Sequence, residues 1–115
     1  MNRRVLVIED ESELRDLICE AMAFEGFRTV PANHGLHAIQ ILTTDPSFDL
    51  ILLDWNMPLM GGARVLHALQ EMNCMIPVIV VSANPPALPN AHAFLEKPFS
   101  FAALFELIRS KMGGE

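Results

Sequence analysis

The feature that most limits the possible folds is the regular alternation of short apolar runs with helical patterns. Runs rich in Val, Ile and Leu predict β-strands over residues 4–9, 27–31, 48–54, 77–82 and 93–97. Apolar residues at helical spacing predict α-helices over residues 12–26, 35–44, 63–72 and 100–112. Strands that alternate with helices in this way form a parallel sheet with helices on both faces.

The handedness of the connections then limits the topology. Because crossovers between parallel strands are right-handed, we predict an α/β fold: a doubly wound, flavodoxin-like (βα)5 sheet of five parallel strands in the order 2-1-3-4-5. The length of 115 residues suits one domain, so residues 1–115 are predicted to form a single domain.

The composition argues against several classes of function. Acidic residues outnumber basic ones by 14 to 8, and the net charge of −6 argues against nucleic-acid binding. No basic run indicates binding to a membrane surface, and no apolar run approaches the length that spans a bilayer. The N-terminus lacks the pattern of a signal peptide, so a cytoplasmic location is predicted.

Polar residues at the ends of the predicted strands are the main indication of function. They are Glu9, Asp10 and Glu11 after the first strand, Asp54 at the end of the third, Ser82 at the end of the fourth and Lys97 at the end of the fifth. The carboxyl ends of the strands share one edge of a doubly wound sheet, where ligands bind. Singly, these residues have simpler explanations, because acids favour helix N-termini and Asp is common in turns. Their joint placement indicates a site.

Crowded carboxylates at such a site need compensating charge. Two carboxylates about 5 Å apart repel by roughly 3 kcal/mol at an effective dielectric constant near 20. Lys97 neutralises one charge, and Mg²⁺, a hard cation that prefers oxygen ligands, suits the remainder. The apolar run before Asp54 would shield its carboxylate and make it a directed nucleophile.

Four motifs resemble those of the response-regulator receiver domains of two-component signalling. The motifs are VLVIEDE (5–11), DLILLDWNMPLMGG (49–62), VIVVSA (78–83) and FLEKPF (94–99). The resemblance covers essentially the full length and is nearest, in its central motif, to the chemotaxis-type, stand-alone receivers.

The resemblance implies an acceptor and a metal site. Asp54 would accept the phosphoryl group and bind Mg²⁺ together with Asp10, while Glu9 would act through a water molecule. Asn56 would offer its backbone carbonyl to the metal. Glu9 stands where the family often has a second Asp, a change that the family tolerates.

The same resemblance assigns roles around the acceptor. Ser82 would hydrogen-bond the phosphoryl group, Lys97 would hold one of its oxygens, and Phe94 would be the aromatic switch residue that turns inward. The turn and structural positions are Pro58, Gly62 and Pro98, whose bond to the preceding lysine is usually cis in the family. The positions that tune hydrolysis are Asn56 and Asn84.

One segment departs from the family. Residues 83–96, ANPPALPNAHAFLE, form a shorter connection than usual and contain three prolines. Proline inside a helix costs about 3 kcal/mol. The fourth helix of the family is therefore predicted to be missing or reduced to one turn. The transfer chemistry should survive, whereas the usual output surface should change.

The resemblance implies a signalling module and not an enzyme. A sensor histidine kinase or a phosphotransfer protein would pass a phosphoryl group from phosphohistidine to Asp54, and the conformational change would signal to a downstream protein target. Two alternatives stay open: an aspartyl-nucleophile phosphatase of the haloacid-dehalogenase type, and a degenerate receiver that acts as a binding scaffold. Met1 favours a natural start, but the terminal GGE could belong to a linker, so the sequence leaves an attached output domain undecided.

Overall fold

The predicted alternation of strands and helices is present in the computed structural model, which describes residues 3–84 and 93–112. The elements in chain order are β1 (Arg4–Ile8), α1 (Ser12–Phe24), β2 (Arg28–Ala32), α2 (Gly35–Thr44), β3 (Leu50–Asp54), α3 (Gly62–Glu71), β4 (Val78–Ser82), β5 (Ala93–Glu96) and α4 (Phe101–Met112). All strand pairs are parallel, in the order β2-β1-β3-β4-β5. The predicted flavodoxin-like topology is confirmed. The predicted loss or shortening of a helix before β5 falls on residues 85–92, outside the described residues.

Helices cover both faces of the sheet. On one face α2 and α3 pack against the strand residues Leu6, Ile8, Ile51, Leu53, Val78 and Val80. On the other face α1 and α4 pack against Val5, Val7, Leu50, Leu52 and Ile79. Successive residues of a strand point to opposite faces, so a strand buried on both faces needs an unbroken apolar run. This explains why β3 is apolar up to its last residue.

Two helices are capped by side chains at their N-termini. The Ser100 hydroxyl accepts a hydrogen bond from the Ala103 N–H at 3.0 Å and so caps α4. At α2 the Nδ1 of His34 accepts from the His37 N–H at 3.1 Å. These caps satisfy backbone donors that have no partner within the helix.

Two apolar residues that helped to predict the helices lie outside the core. Leu17 is 51% exposed and Leu36 is 55% exposed. A helix that lies on a sheet buries only one stripe of its surface. In α1 that stripe contains Ile18 and Met22, and in α2 it contains Leu42, so the neighbouring leucines face outward. Within residues 3–84 and 93–112, no helix is both long and apolar enough to cross a membrane.

Candidate functional site

The carboxyl ends of three strands bring two acids and a lysine into contact. Glu9 directly follows β1 and Asp54 ends the neighbouring β3, and each is only 3% exposed. Lys97 directly follows β5, and its Nζ lies 3.4 Å from Glu9 Oε1 and 3.4 Å from Asp54 Oδ1. The two acids therefore share one cation. This arrangement depends on the parallel topology, because the residues come from distant parts of the chain.

Asp10 completes a group of three carboxylates. One oxygen each from Glu9, Asp10 and Asp54 lies within 4.8 Å of the others, and Asp10 is exposed while the other two are buried. Hard cations such as Mg²⁺ take carboxylate oxygens and retain several water ligands. The residues present fit such an ion, since they offer clustered oxygens with one side open to water. Glu11 is not part of this group, although its backbone N–H donates to Glu9 Oε2 at 3.2 Å.

Burial and the neighbouring acids change the protonation of Asp54. Burial, the hydrogen bond with Asp10 and the charge of Glu9 together outweigh the opposing charge of Lys97 and raise the pKa of Asp54 to about 7. Burial by itself would lower the pKa of Lys97, but the charges of Asp54 and Glu9 outweigh burial and raise it. The lysine therefore stays charged, while the aspartate exchanges a proton near neutral pH.

Ser82 lies at the end of β4 with its hydroxyl already engaged. The side chain is 1% exposed, and its Oγ accepts from the Asn84 backbone N–H at 3.1 Å and from Asn56 Nδ2 at 3.4 Å. With two bonds accepted, the hydroxyl proton is left to donate. The Asn56 backbone N–H also donates to Asp54 Oδ1 at 3.3 Å. Asn56 thus connects the aspartate to the serine.

The structure also places three further predicted positions, Phe94, Pro98 and Gly62. Phe94 is half-buried and packs against the core on the face that α2 and α3 cover. The bond between Lys97 and Pro98 is cis, as the resemblance implied. The Gly62 N–H donates to the Trp55 carbonyl at 2.9 Å, and a Cβ on Gly62 would lie 2.5 Å from Cε3 of Trp55. This position therefore requires glycine because the tryptophan approaches it so closely.

Sequence reasoning missed one residue that orders the site. The Nη1 of Arg15, in the first turns of α1, donates to the Glu9 carbonyl at 2.8 Å. Arg15 therefore ties helix α1 to the first acid. The available signal was the position of Arg15 early in the helix that follows the acidic strand end, which places its long side chain near that end.

Comparison with known proteins identifies the class. The family model for the response regulator receiver domain matches residues 5–109. The chain belongs to this family. The transcriptional regulatory protein CpxR of Escherichia coli is 34% identical over 114 residues, which cover 93% of this chain and 48% of CpxR. Sporulation initiation phosphotransferase F of Bacillus subtilis is 35% identical over 83 residues, covering 72% of this chain and 66% of that protein.

Solved structures agree with this assignment. The receiver domain of a Francisella response regulator has a TM-score of 0.89 and 28% identity, covering 97% of this chain and 98% of that one. The response regulator TrrA of Thermotoga maritima, solved in complex with Mg²⁺-BeF, has a TM-score of 0.85 and 26% identity, covering 94% and 97%. The chain spans about half the length of curated relatives such as CpxR, of which it covers 48%.

Proposed function

We propose that the protein receives a phosphoryl group on Asp54 and signals its phosphorylation to a protein partner. The observation that carries this proposal is the position of Lys97, whose ammonium group contacts two buried carboxylates at 3.4 Å each. The cation can hold a phosphoryl oxygen beside the Asp54 carboxylate. The donor would be the phosphohistidine of a sensor histidine kinase or of a phosphotransfer protein, in a cytoplasmic setting.

The transfer is an in-line displacement at phosphorus. An ionised oxygen of Asp54 forms the new O–P bond while the P–N bond to the donor imidazole breaks, and the imidazole nitrogen takes up a proton from solvent. The Lys97 ammonium and the Ser82 hydroxyl proton stabilise the charge on the phosphoryl oxygens. The apolar residues of β3 keep water away from one side of the carboxylate.

A divalent cation fits the three carboxylates described above. Mg²⁺ would be held by Asp10, Asp54 and the Asn56 backbone carbonyl, with Glu9 acting through a water molecule. When bound, it supplies positive charge that offsets the crowded acids and the incoming phosphoryl group. The TrrA structure supports this assignment, because that protein has the same fold and was solved in complex with Mg²⁺-BeF.

Phosphorylation then acts as the signal. The phosphoryl group adds up to about two negative charges beside the acids. The Ser82 hydroxyl donates to it, the turn that contains Asn84 follows, and Phe94 moves toward the space that the serine vacates. Asn84 and Asn56 flank the acceptor, where they would set how fast water removes the phosphoryl group. The protein catalyses no turnover of external substrates in this proposal, and Asn56 stands where a phosphatase of the haloacid-dehalogenase type needs an acid.

Fluorescence and mass spectrometry test the proposal. Trp55 adjoins the acceptor, so Mg²⁺ and then beryllofluoride, a phosphoryl mimic, should each change its emission. Incubation with a small phosphoryl donor such as acetyl phosphate should add about 80 Da, reversed by alkali. The Asp54→Asn variant should lose the beryllofluoride response and the mass gain, while Asp16→Asn, an exposed acid on α1, should keep both. A wild-type protein that responds to neither ligand would refute the assignment.

A further inference from the structure

Leu59 is an exposed leucine in the loop that follows β3. Leu59 is 98% exposed, and its backbone has a φ of 69°, in the left-handed region that leucine rarely adopts. Neither the exposure nor the conformation helps the fold, because the side chain buries nothing and the backbone is strained. A residue with these two properties is a candidate contact for another molecule.

Leu59 belongs to a groove between the start of α2 and the β3–α3 loop. The groove has a volume of about 450 Å³ and is lined by His34, Leu36, Pro58, Leu59, Met60 and Arg64. Leu36 adds a second exposed leucine, at 55%. The lining therefore combines four apolar residues with two basic ones. We call this surface the Leu59 groove.

Close packing within the protein itself fixes the walls of the groove. A Cβ on Gly35 would lie 2.7 Å from Val65 Cγ2 and 3.1 Å from the Met60 carbonyl oxygen. The first turn of α2 therefore packs closely against both α3 and the loop, and it can do so only because residue 35 is glycine. A groove with fixed walls loses little conformational entropy on binding.

The charge of the groove is opposite to that of the chain. Its lining contains an arginine and a histidine but no acid, although the chain has a net charge of −6. Within residues 3–84 and 93–112, the Arg64 guanidinium makes no ion pair or hydrogen bond, whereas the backbone N–H of this residue donates to the Gly61 carbonyl at 3.1 Å. An exposed guanidinium beside apolar residues is complementary to a carboxylate on an otherwise apolar surface.

We propose that the Leu59 groove docks an amphipathic helix of a partner protein. Two apolar side chains of that helix would contact the apolar lining residues, and an acidic residue one turn away would pair with Arg64. A helix suits the groove better than an extended peptide, because the groove is lined by the starts of two helices and by one loop and includes no strand residue. The surface does not include Asp54 or Lys97. This docking therefore goes beyond phosphoryl transfer and does not depend on it.

A titration of isotope-labelled protein with two synthetic peptides tests the proposal. The first probe is an amphipathic helical peptide with Leu on one face and Glu beside it, and the second has each Glu replaced by Lys. The acidic peptide should shift the backbone amide signals of Leu36, Leu59 and Met60 and bind at least tenfold more tightly than the basic one. Signals displaced elsewhere, equal binding of the two peptides, or no binding at millimolar peptide would overturn the proposal.

Variants sharpen the same measurement. Leu59→Asp should weaken the acidic peptide at least tenfold, and Arg64→Glu should reverse the preference toward the basic peptide. Met75→Asp changes another exposed apolar residue, 88% exposed and outside the groove, and should bind like the wild type. Sedimentation of the protein alone provides the last check. If the protein self-associates and Leu59→Asp abolishes the association, the occupant of the groove is a second copy of this chain. That result would overturn the proposal of a partner helix.

Discussion

Replacing Asp54 should stabilise the metal-free protein, but only at high pH. The pKa of Asp54 is raised from 3.8 to about 7, chiefly by burial and then by contact with Asp10 and Glu9. The folded state binds the Asp54 proton more tightly than the unfolded chain does, so protonation of Asp54 stabilises the folded state. That contribution is fully present below pH 3.8 and is lost as the pH rises through about 7. Asparagine has nearly the same shape and never ionises.

The size of the effect follows from the two pKa values. At pH 5 the folded protein holds the Asp54 proton and the unfolded chain has lost it, whereas at pH 8 neither holds it. Because one pKa unit corresponds to about 1.36 kcal/mol, the wild type should lose about 2.5 kcal/mol of unfolding free energy between these pH values from this group. The difference in unfolding free energy between Asp54→Asn and the wild type should therefore increase by about the same amount from pH 5 to pH 8.

Urea unfolding with a metal chelator, at pH 5 and pH 8, measures this difference. Adding Mg²⁺ at pH 8 should reduce the advantage of the variant, because the cation stabilises the wild-type carboxylates. Asp16→Asn controls for the loss of one negative charge and should show no such dependence on pH. An advantage of Asp54→Asn that is equal at both pH values, or larger at pH 5, would refute the link between burial, crowding and protonation.

Three further predictions concern the same region. The apparent Kd for Mg²⁺, followed by Trp55 fluorescence, should rise about tenfold from pH 8 to pH 6, because Asp54 must lose its proton before it binds the metal. A Kd that does not depend on pH would contradict this. Gly62→Ala should lower the urea unfolding free energy by about 1–3 kcal/mol, since its methyl group would overlap the Trp55 ring, and a stabilised variant would show that the ring can move. Asn56→Ala should tighten beryllofluoride binding about two- to tenfold, because it removes one of the two donors that hold the Ser82 oxygen in place and so lets the hydroxyl move toward the ligand. That gain should vanish in a Ser82→Ala background, and additive effects in this double-mutant cycle would contradict the role of the amide.

The fold and most of the site follow from patterns that extend over several residues. The apolar run that ends in Asp54 predicts a strand buried on both faces, and parallel pairing places its end beside Glu9. Lys97 meets these acids because the fifth strand must run in the same direction as the others. In each of these cases topology alone fixes the relative positions.

Features set by single close contacts were not predictable in this way. Nothing in the spacing of residues indicates that Leu59 adopts a positive φ, or that Gly35 touches Val65 and Met60. The hydrogen bond from Asn56 to Ser82 depends on the path of a loop, and loop paths carry no periodic signal. Leu36 has the apolar character of a core residue, but the narrow contact between α2 and the sheet leaves it outside.

The ion pair between Glu9 and Lys97 joins residues that are 88 positions apart. A ribosome makes the acids early and the lysine only near the end of the described chain. A polypeptide still being translated therefore carries the acidic residues without the ammonium group that completes the centre. On the proposed function, such an unfinished chain lacks the cation that would hold a phosphoryl oxygen beside Asp54.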